Sequence, residues 1–311
     1  MSLDSLDFSD LYLGEDRAHI RGPKLSPNPQ DINFELVSGL REQCDKAFAS
    51  KTTHGTDFVV THDKTTYRGS LLNSVSGDFY VLRRQPKEVK RVSDLIPAKA
   101  YTDRLLDPEL KGLILIAGEF GHGKTWTAAG IVVERLEKYG GVAAAFEDPP
   151  ELPLQGKHGD GICFQSHIDK GGFGAAIHSA ARWAPDILYF SELRDADSAN
   201  EALKSSLNGK LAICTMHGNS PISAIERLFN IATSGNAGGT SQTDVASLIA
   251  NGLAIVIHQK LERDGDHVTP KIQWLSVNSH PSVKSVIKDR KWSNLQQEIN
   301  QQHNEIRFRR D

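Results

Sequence analysis

Cysteine is scarce in this chain, and long apolar runs are missing. Cys44, Cys163 and Cys214 are the only three cysteines, and no two of them form a Cys-x-x-Cys pair. The sequence therefore offers neither a disulfide framework nor a thiolate metal site, and it fits a reducing compartment. No stretch of 18 apolar residues occurs, which argues against a membrane-spanning helix. The start, Met1-Ser2-Leu3-Asp4, lacks the basic-then-apolar pattern of a secretory signal, so a cytoplasmic protein is expected. An excess of charge of one sign is missing too. With 36 basic against 39 acidic residues the formal net charge is −3, unlike the basic balance of a general nucleic-acid binder, although a local groove stays open. There is no internal repeat and no low-complexity segment beyond the small-residue run Ser234 to Thr240, which reads as a mobile loop.

What is present suits a folded globular chain. The 311 residues suggest about two domains, and 39% hydrophobic content supplies sizeable cores. Residues 1 to about 30 mix short apolar pieces with Pro23, Pro27 and Pro29, suggesting a strand or two with turns. Phe34, Val37, Leu40, Cys44 and Phe48 are spaced for a helix over 33–48. Strands follow at 57–60, 66–71 and 79–82, with Ser76-Gly77-Asp78 as a hairpin turn before the last. A charged passage with Pro86, Pro97 and Pro108 reads as a linker with a short helix, and places a boundary near residue 100. Beyond it strands at 113–117, 142–146, 187–190 and 212–216 alternate with helices at 124–138, 173–183, 195–207 and 221–232. That alternation predicts a mostly parallel α/β sheet. Leu253 to Ile257 is a further apolar stretch, followed by a hairpin-like turn at 264–266 and a final helical segment.

Gly118-Glu119-Phe120-Gly121-His122-Gly123-Lys124-Thr125 fits G-x-x-x-x-G-K-[ST] between an apolar strand and a helix. A glycine loop at a helix N-terminus directs backbone N–H groups and the helix dipole at one point, which suits a phosphate. Gly118, Gly121, His122, Gly123, Lys124, Thr125 and Trp126 are the nucleotide-binding candidates, with the Thr125 hydroxyl for Mg²⁺ and Lys124 for the β/γ-phosphates. Glu119 is awkward in an anion-binding loop unless its side chain points outward. Ligands of parallel sheets collect at strand C-terminal ends, and the residues found there are Glu147-Asp148, Glu192 and His217. Phosphoryl transfer to water needs neutralised charge, a metal and a group that orients the water. Glu192 is the candidate for that orientation. Glu147 and Asp148 are candidates for holding the metal's water shell, and His217 is either a γ-phosphate sensor or a histidine packed under a loop.

These motifs resemble the secretion/traffic ATPases, the superfamily of type II/IV secretion and type IV pilus ATPases. Phe146 to Glu151 is similar to their acidic box, Pro185 to Asp195 to their Walker B segment, and Thr215 to Pro221 with Ala224 to Leu228 to their histidine box. Phe8 to Leu13, Thr66-Tyr67-Arg68, Val81 to Arg84 and Val256 to Leu261 extend the resemblance over nearly the whole chain. Ser191 stands where glycine is usual, and Asn208-Gly209-Lys210 where a Gly-His pair is frequent. The resemblance implies a PAS-like α+β domain with linker over 1–100 and a RecA-like P-loop ATPase domain over 101–311. It also implies ATP and Mg²⁺ as cofactors. It implies a homohexamer in which Arg68, Arg83, Arg84, Arg194 and Arg227 are candidates to act across the interface, although Arg83 and Arg84 read equally well as solvated linker charges. A membrane-embedded platform protein is the implied partner, which puts the ring peripherally at the inner membrane. The lack of a tetracysteine module and of a long extra N-terminal region in this sequence argues against the pilus-assembly and type II export branch. Asp195 favours a PilT-like retraction motor and Asn219-Ser220-Pro221 the type IV secretion branch. The expected activity is ATP hydrolysis driving a pilus or secretion machine. The alternatives are a RecA-like nucleic-acid translocase and a nucleotide-binding assembly protein without turnover.

Overall fold

The computed structural model describes residues 3–22, 28–50, 56–168, 172–234, 241–264 and 267–308. The small-residue run after Ser234 and the turn at Gly265-Asp266 lie outside these residues. The chain divides into two compact units: Met1–Glu88 with Pro149–Pro153, and Val89–Asp148 with Leu154–Asp311.

In the first unit the strands are β1 (Asp10–Leu13), β2 (Ala18–Arg21), β3 (Gln30–Ile32), β4 (Asp57–His62), β5 (Thr65–Leu72) and β6 (Phe79–Arg84), with one helix, α1 (Ser38–Ala49). They form an antiparallel sheet in the order β3-β2-β1-β6-β5-β4. Burial alternates along β1, β4, β5 and β6, so Leu11, Leu13, Phe58, Val60, Tyr67, Tyr80 and Leu82 face one core. Leu40 and Cys44 of α1 belong to that core. The helix expected from residue 33 starts at Ser38. It is preceded by a 3-10 turn, Phe34–Leu36, whose N-cap is the Asn33 side chain.

The second unit opens with the short helices α2 (Val92–Leu95) and α3 (Lys99–Leu105), within the passage read as a linker. Then come β7 (Gly112–Ala117), α4 (Lys124–Tyr139), β8 (Val142–Glu147), β9 (Gly156–His158), β10 (Gly161–His167), α5 (Phe173–Ala180), β11 (Ile187–Phe190), α6 (Ala196–Leu207), β12 (Leu211–Met216) and α7 (Pro221–Ser234). The unit closes with α8 (Gln242–Gly252), β13 (Leu253–Asp264), β14 (His267–Ser276), α9 (Pro281–Lys288) and α10 (Leu295–Phe308). The sheet order is β14-β13-β7-β12-β11-β8-β10-β9, parallel except where β14 and β9 join antiparallel at the two edges.

Every residue of β7, β11 and β12 is buried, as expected for parallel strands covered on both faces. Leu113, Leu115 and Ala117 of β7 share a core with residues of α5 to α9, while α4 packs against the sheet with buried Ala128, Ile131 and Val132. With both faces closed, only strand ends are free to carry chemistry. The fold is α/β, a mostly parallel P-loop sheet preceded by a small α+β region. Among the described residues no helix is long and apolar enough to cross a membrane.

Candidate functional site

The parallel register brings the strand tips level. Ala117 lies opposite Met216 on one side and His258 on the other, and Phe190 opposite Phe146 and Cys214. The segments that follow β7, β8, β11 and β12 therefore leave the sheet along one edge. They carry the glycine loop, Glu147-Asp148, Glu192 and His217.

The glycine loop is built by steric necessity. Gly123 has φ +78° and serves as N-cap of α4 without a side-chain hydrogen bond, so the first-turn N–H groups receive no capping side chain. A Cβ on Gly118 would stand 2.4 Å from the Gln259 carbonyl oxygen. Glu119 turns its side chain outward, 74% exposed, as its place in an anion-binding loop requires. Its carbonyl oxygen accepts a 2.8 Å hydrogen bond from Lys124 Nζ. Thr125 and Trp126 follow on the first turn of α4, each partly buried.

Three hydrogen bonds secure the loop and the first turn of α4 to β13. Gln259, 3% exposed, donates from Nε2 to the His122 carbonyl at 2.8 Å and accepts from the Thr127 hydroxyl at 2.7 Å. The backbone N–H of Leu261 donates to His122 Nδ1 at 2.9 Å, which places the neutral ring's proton on Nε2. Gln259 was not a site candidate in the sequence, although it lies within the quoted Val256 to Leu261 motif. A buried glutamine in an apolar strand beside the loop was the available signal. Burial and the neighbouring His122 push the His258 pKa down.

The acidic tips form a chain of contacts. Glu192 Oε2 accepts from Arg194 Nε at 3.0 Å, and Glu192 Oε1 lies 3.6 Å from His217 Nε2. Arg194 also reaches Asp148 Oδ2 at 3.5 Å, and Asp148 Oδ1 is 3.6 Å from His167 Nε2. Glu147, the last residue of β8, is fully buried and accepts from Gln165 Nε2 at 2.6 Å. Gln165 and His167 lie on β10, a strand not foreseen from the sequence. Ser191 is tied by its N–H to the Phe146 carbonyl at 3.0 Å, and its own carbonyl accepts from the Thr215 hydroxyl. Asp195 is the N-cap of α6 in a capping box with Ser198.

A cavity of about 750 Å³ flanks the loop along α7. Glu119, Phe120, Arg194, His217 and Arg227 all line it. Arg68, Arg83 and Arg84 belong to the other unit, where each has a partner. Arg68 pairs with Glu151 at 3.2 Å, Arg83 with Asp10 at 2.8 Å, and Arg84 donates to the Leu6 carbonyl at 3.0 Å.

A glycine loop at a helix N-terminus, at the C-terminal edge of a parallel sheet with acidic neighbouring tips, defines a P-loop nucleotide-binding α/β protein. A family profile described as "Type II/IV secretion system protein" matches residues 55–308, and the chain belongs to that family. It is 28% identical over 244 residues to the protein YggR of Escherichia coli (strain K12), covering 77% of this chain and 71% of that one. It is 26% identical over 227 residues to a twitching motility protein of Neisseria gonorrhoeae, covering 72% of this chain but only 58% of the relative. Among solved structures, the pilus retraction motor PilT with bound ADP matches at a TM-score of 0.78 and 21% identity. That match covers 94% of this chain and 86% of PilT, and establishes likeness of fold.

Proposed function

We propose that this chain hydrolyses ATP to ADP and phosphate and couples the reaction to mechanical work in a pilus or secretion machine. The single observation that carries the reading is convergence. Glu192, held between Arg194 and His217, stands at the strand edge that also bears the Lys124 loop. A carboxylate hydrogen-bonded by Arg194, with the His217 ring 3.6 Å from its other oxygen, suits the orienting of the water that attacks the γ-phosphate. Lys124 now donates to a neutral carbonyl, and a triphosphate would be the stronger, charge-assisted acceptor. The Leu261 and Gln259 bonds keep the loop in the shape that presents its N–H groups to phosphate.

The donors near the loop fit Mg²⁺. Thr125 supplies a hydroxyl, and Asp148 and Glu147 supply hard carboxylate oxygens, Asp148 being the more accessible. Among the described residues no group of three or more His, Cys, Asp or Glu forms a metal cage, which suits an ion that keeps several waters and shares phosphate oxygens. When bound, Mg²⁺ would neutralise charge on the β- and γ-phosphates.

The working form in this reading is a homohexamer, peripheral at the inner membrane and acting on a platform protein embedded there. Arg194, Arg227, Arg68, Arg83 and Arg84 are the candidates to reach nucleotide across the interface. The guanidinium fork suits that task. Family membership supports a motor of this kind over a nucleic-acid translocase.

The test is ATPase activity with and without DNA, on wild type, Lys124→Ala and Glu192→Gln. Lys124→Ala should lose nucleotide affinity and turnover together. Glu192→Gln should retain ATP and lose about 10²–10⁴-fold in kcat. Near-normal kcat in Glu192→Gln would show that another carboxylate orients the water, and strong DNA stimulation would favour the translocase.

A further inference from the structure

The N-terminal ends of β7, β8, β11 and β12 frame a second cavity, about 470 Å³ in volume, at the edge of the sheet opposite the phosphate loop. A six-residue strand such as β7, at roughly 3.3 Å per residue, sets the two edges about 20 Å apart. Arg135, near the C-terminal end of α4, lines this cavity and is only 7% exposed. Its Nη1 donates to the carbonyls of Leu105 at 2.9 Å and Asp107 at 2.8 Å, while the Tyr139 hydroxyl donates to the Leu106 carbonyl. Those bonds close the C-terminal end of α3 and explain why a long polar side chain is placed here. They supply partial charges only.

Among the described residues no carboxylate stands within ion-pair distance of this guanidinium, and its Nε and Nη2 have no hydrogen-bond acceptor. Arg135 itself lines the cavity, which sets the unengaged edge of its guanidinium beside that space. The acids in the neighbourhood are engaged in turns. Asp186 Oδ2 accepts from the Val142 N–H at 2.8 Å, and Asp107 Oδ1 from the Glu109 N–H at 2.9 Å. Burial pushes the Arg135 pKa below its ordinary value, yet an arginine keeps its proton, so the group is a buried cation without a full counter-charge. Lys111 and Lys210 also line the cavity, and Asp186 is the one acid there. The lining side chains set three cations against one carboxylate, with Asp107 acting on Arg135 from beside the cavity, so the site keeps a net positive charge that phosphate would balance.

We propose that this cavity binds a small phosphate-bearing molecule. The free edge of the Arg135 guanidinium takes two phosphate oxygens, Lys111 and Lys210 close from the rim, and the Tyr139 ring walls the organic part. The fork geometry of arginine favours such a bidentate grip. The volume lies within the range of small-molecule sites. The site is separate from the phosphate loop and does not depend on ATP hydrolysis, though α4 begins at the one and ends at the other.

Inorganic phosphate titrated calorimetrically into the Lys124→Ala protein tests the site with phosphate-loop binding weakened. One saturable site per chain is expected, with a dissociation constant no weaker than about 1 mM. The Lys111→Glu, Lys210→Glu double variant, which keeps the Arg135 bonds that close α3, should weaken it at least tenfold. Arg135→Met should abolish binding and Arg135→Lys should fall between, with circular dichroism and melting curves confirming that each variant is folded. Absence of saturable binding up to about 10 mM would overturn the proposal. So would undiminished binding in the folded lysine double variant, or succinate binding as tightly as phosphate.

Discussion

The two units carry sheets of opposite construction. In the first, burial alternates along β1, β4 and β6, so one face makes the core and the other displays side chains such as Arg68 and Arg83, which sit directly across from each other. In the second, β7 and β12 are buried at every position. A one-sided sheet can present chemistry from its face, whereas a two-sided sheet can present it only from its rims. The two cavities described above accordingly lie at strand ends, one at each edge. Arg68 and Arg83 of the first unit instead lie along strands, paired with Glu151 and Asp10.

The contrast predicts unequal costs for similar truncations. Leu115→Ala, at a fully buried position of β7, should destabilise its unit by about 2–5 kcal/mol, a lost side chain plus a cavity that a two-sided core cannot refill. Val81→Ala, on the partly exposed face of β6, should cost about 1 kcal/mol or less. All four tryptophans (Trp126, Trp183, Trp274 and Trp292) fall in the second unit. Tryptophan fluorescence in a denaturant titration thus follows that unit, and alkylation of buried Cys44 follows the other. Equal losses at the two positions would break the comparison.

A smaller effect is expected where the rim is held from beneath. Gln259→Leu leaves the Thr127 hydroxyl and the His122 carbonyl without their partner. An unsatisfied buried group costs about 1–3 kcal/mol, so nucleotide should bind about tenfold or more weakly while the bound complex turns over at a similar rate. Gln259→Glu, which can still accept from Thr127, should recover part of the affinity. A fluorescent ADP titration beside kcat separates the two readouts. A loss confined to kcat would show that Gln259 acts on the reacting groups and not on the loop.

The same contrast explains what could be read from the sequence. The unbroken apolar run at 113–117 and the largely apolar ones at 187–190 and 212–216 marked strands covered on both faces, and each proved to be one. The first residues after each run were then rim residues by construction, which is how Glu192, second after its run, and His217, first after its own, could be found. Elements without a strong pattern escaped. β9 and β10 (Gly156–His158 and Gly161–His167) mix glycine, lysine, histidine and glutamine, because β9 is an edge and β10 is only partly covered. Their loss hid Gln165 and His167, the partners of Glu147 and Asp148. The helix α8 follows the small-residue run, and its Ser241 capping box with Asp244 was the overlooked start signal. Gln259 stood out only as a polar residue in an apolar strand; which loop it holds was out of reach, because a contact across more than a hundred residues leaves no local trace.

On the one-sided sheet, charge pairs should contribute little. Arg83 is 67% exposed and bonds Asp10 at 2.8 Å. Solvent screening holds such a pair to about 1 kcal/mol or less. Arg83→Ala should therefore leave Cys44 protection nearly unchanged and respond weakly to salt. A marked fall in ATPase activity in that stable variant would place Arg83 in the interface role proposed for it.

The smallest effect concerns His258, and it should be confined to the second unit. Burial, then the nearby His122, lowers its folded pKa below the ordinary 6.5. Below pH 6.5 the unfolded chain takes up a proton that the folded chain refuses, until pH falls to the depressed folded value. The unfolded state binds more protons across that window, so stability rises with pH there. It is fully present above 6.5, declines as pH drops through 6.5, and levels off once the folded group is also protonated. His258→Gln removes this dependence. The difference in Tm between pH 7.5 and 5.5, followed by tryptophan fluorescence, should shrink in the variant, while the pH response of Cys44 protection stays as in wild type. A wild-type second unit that grows more stable on acidification through 6.5, with the variant lacking that gain, would mean that His258 is held in its charged form.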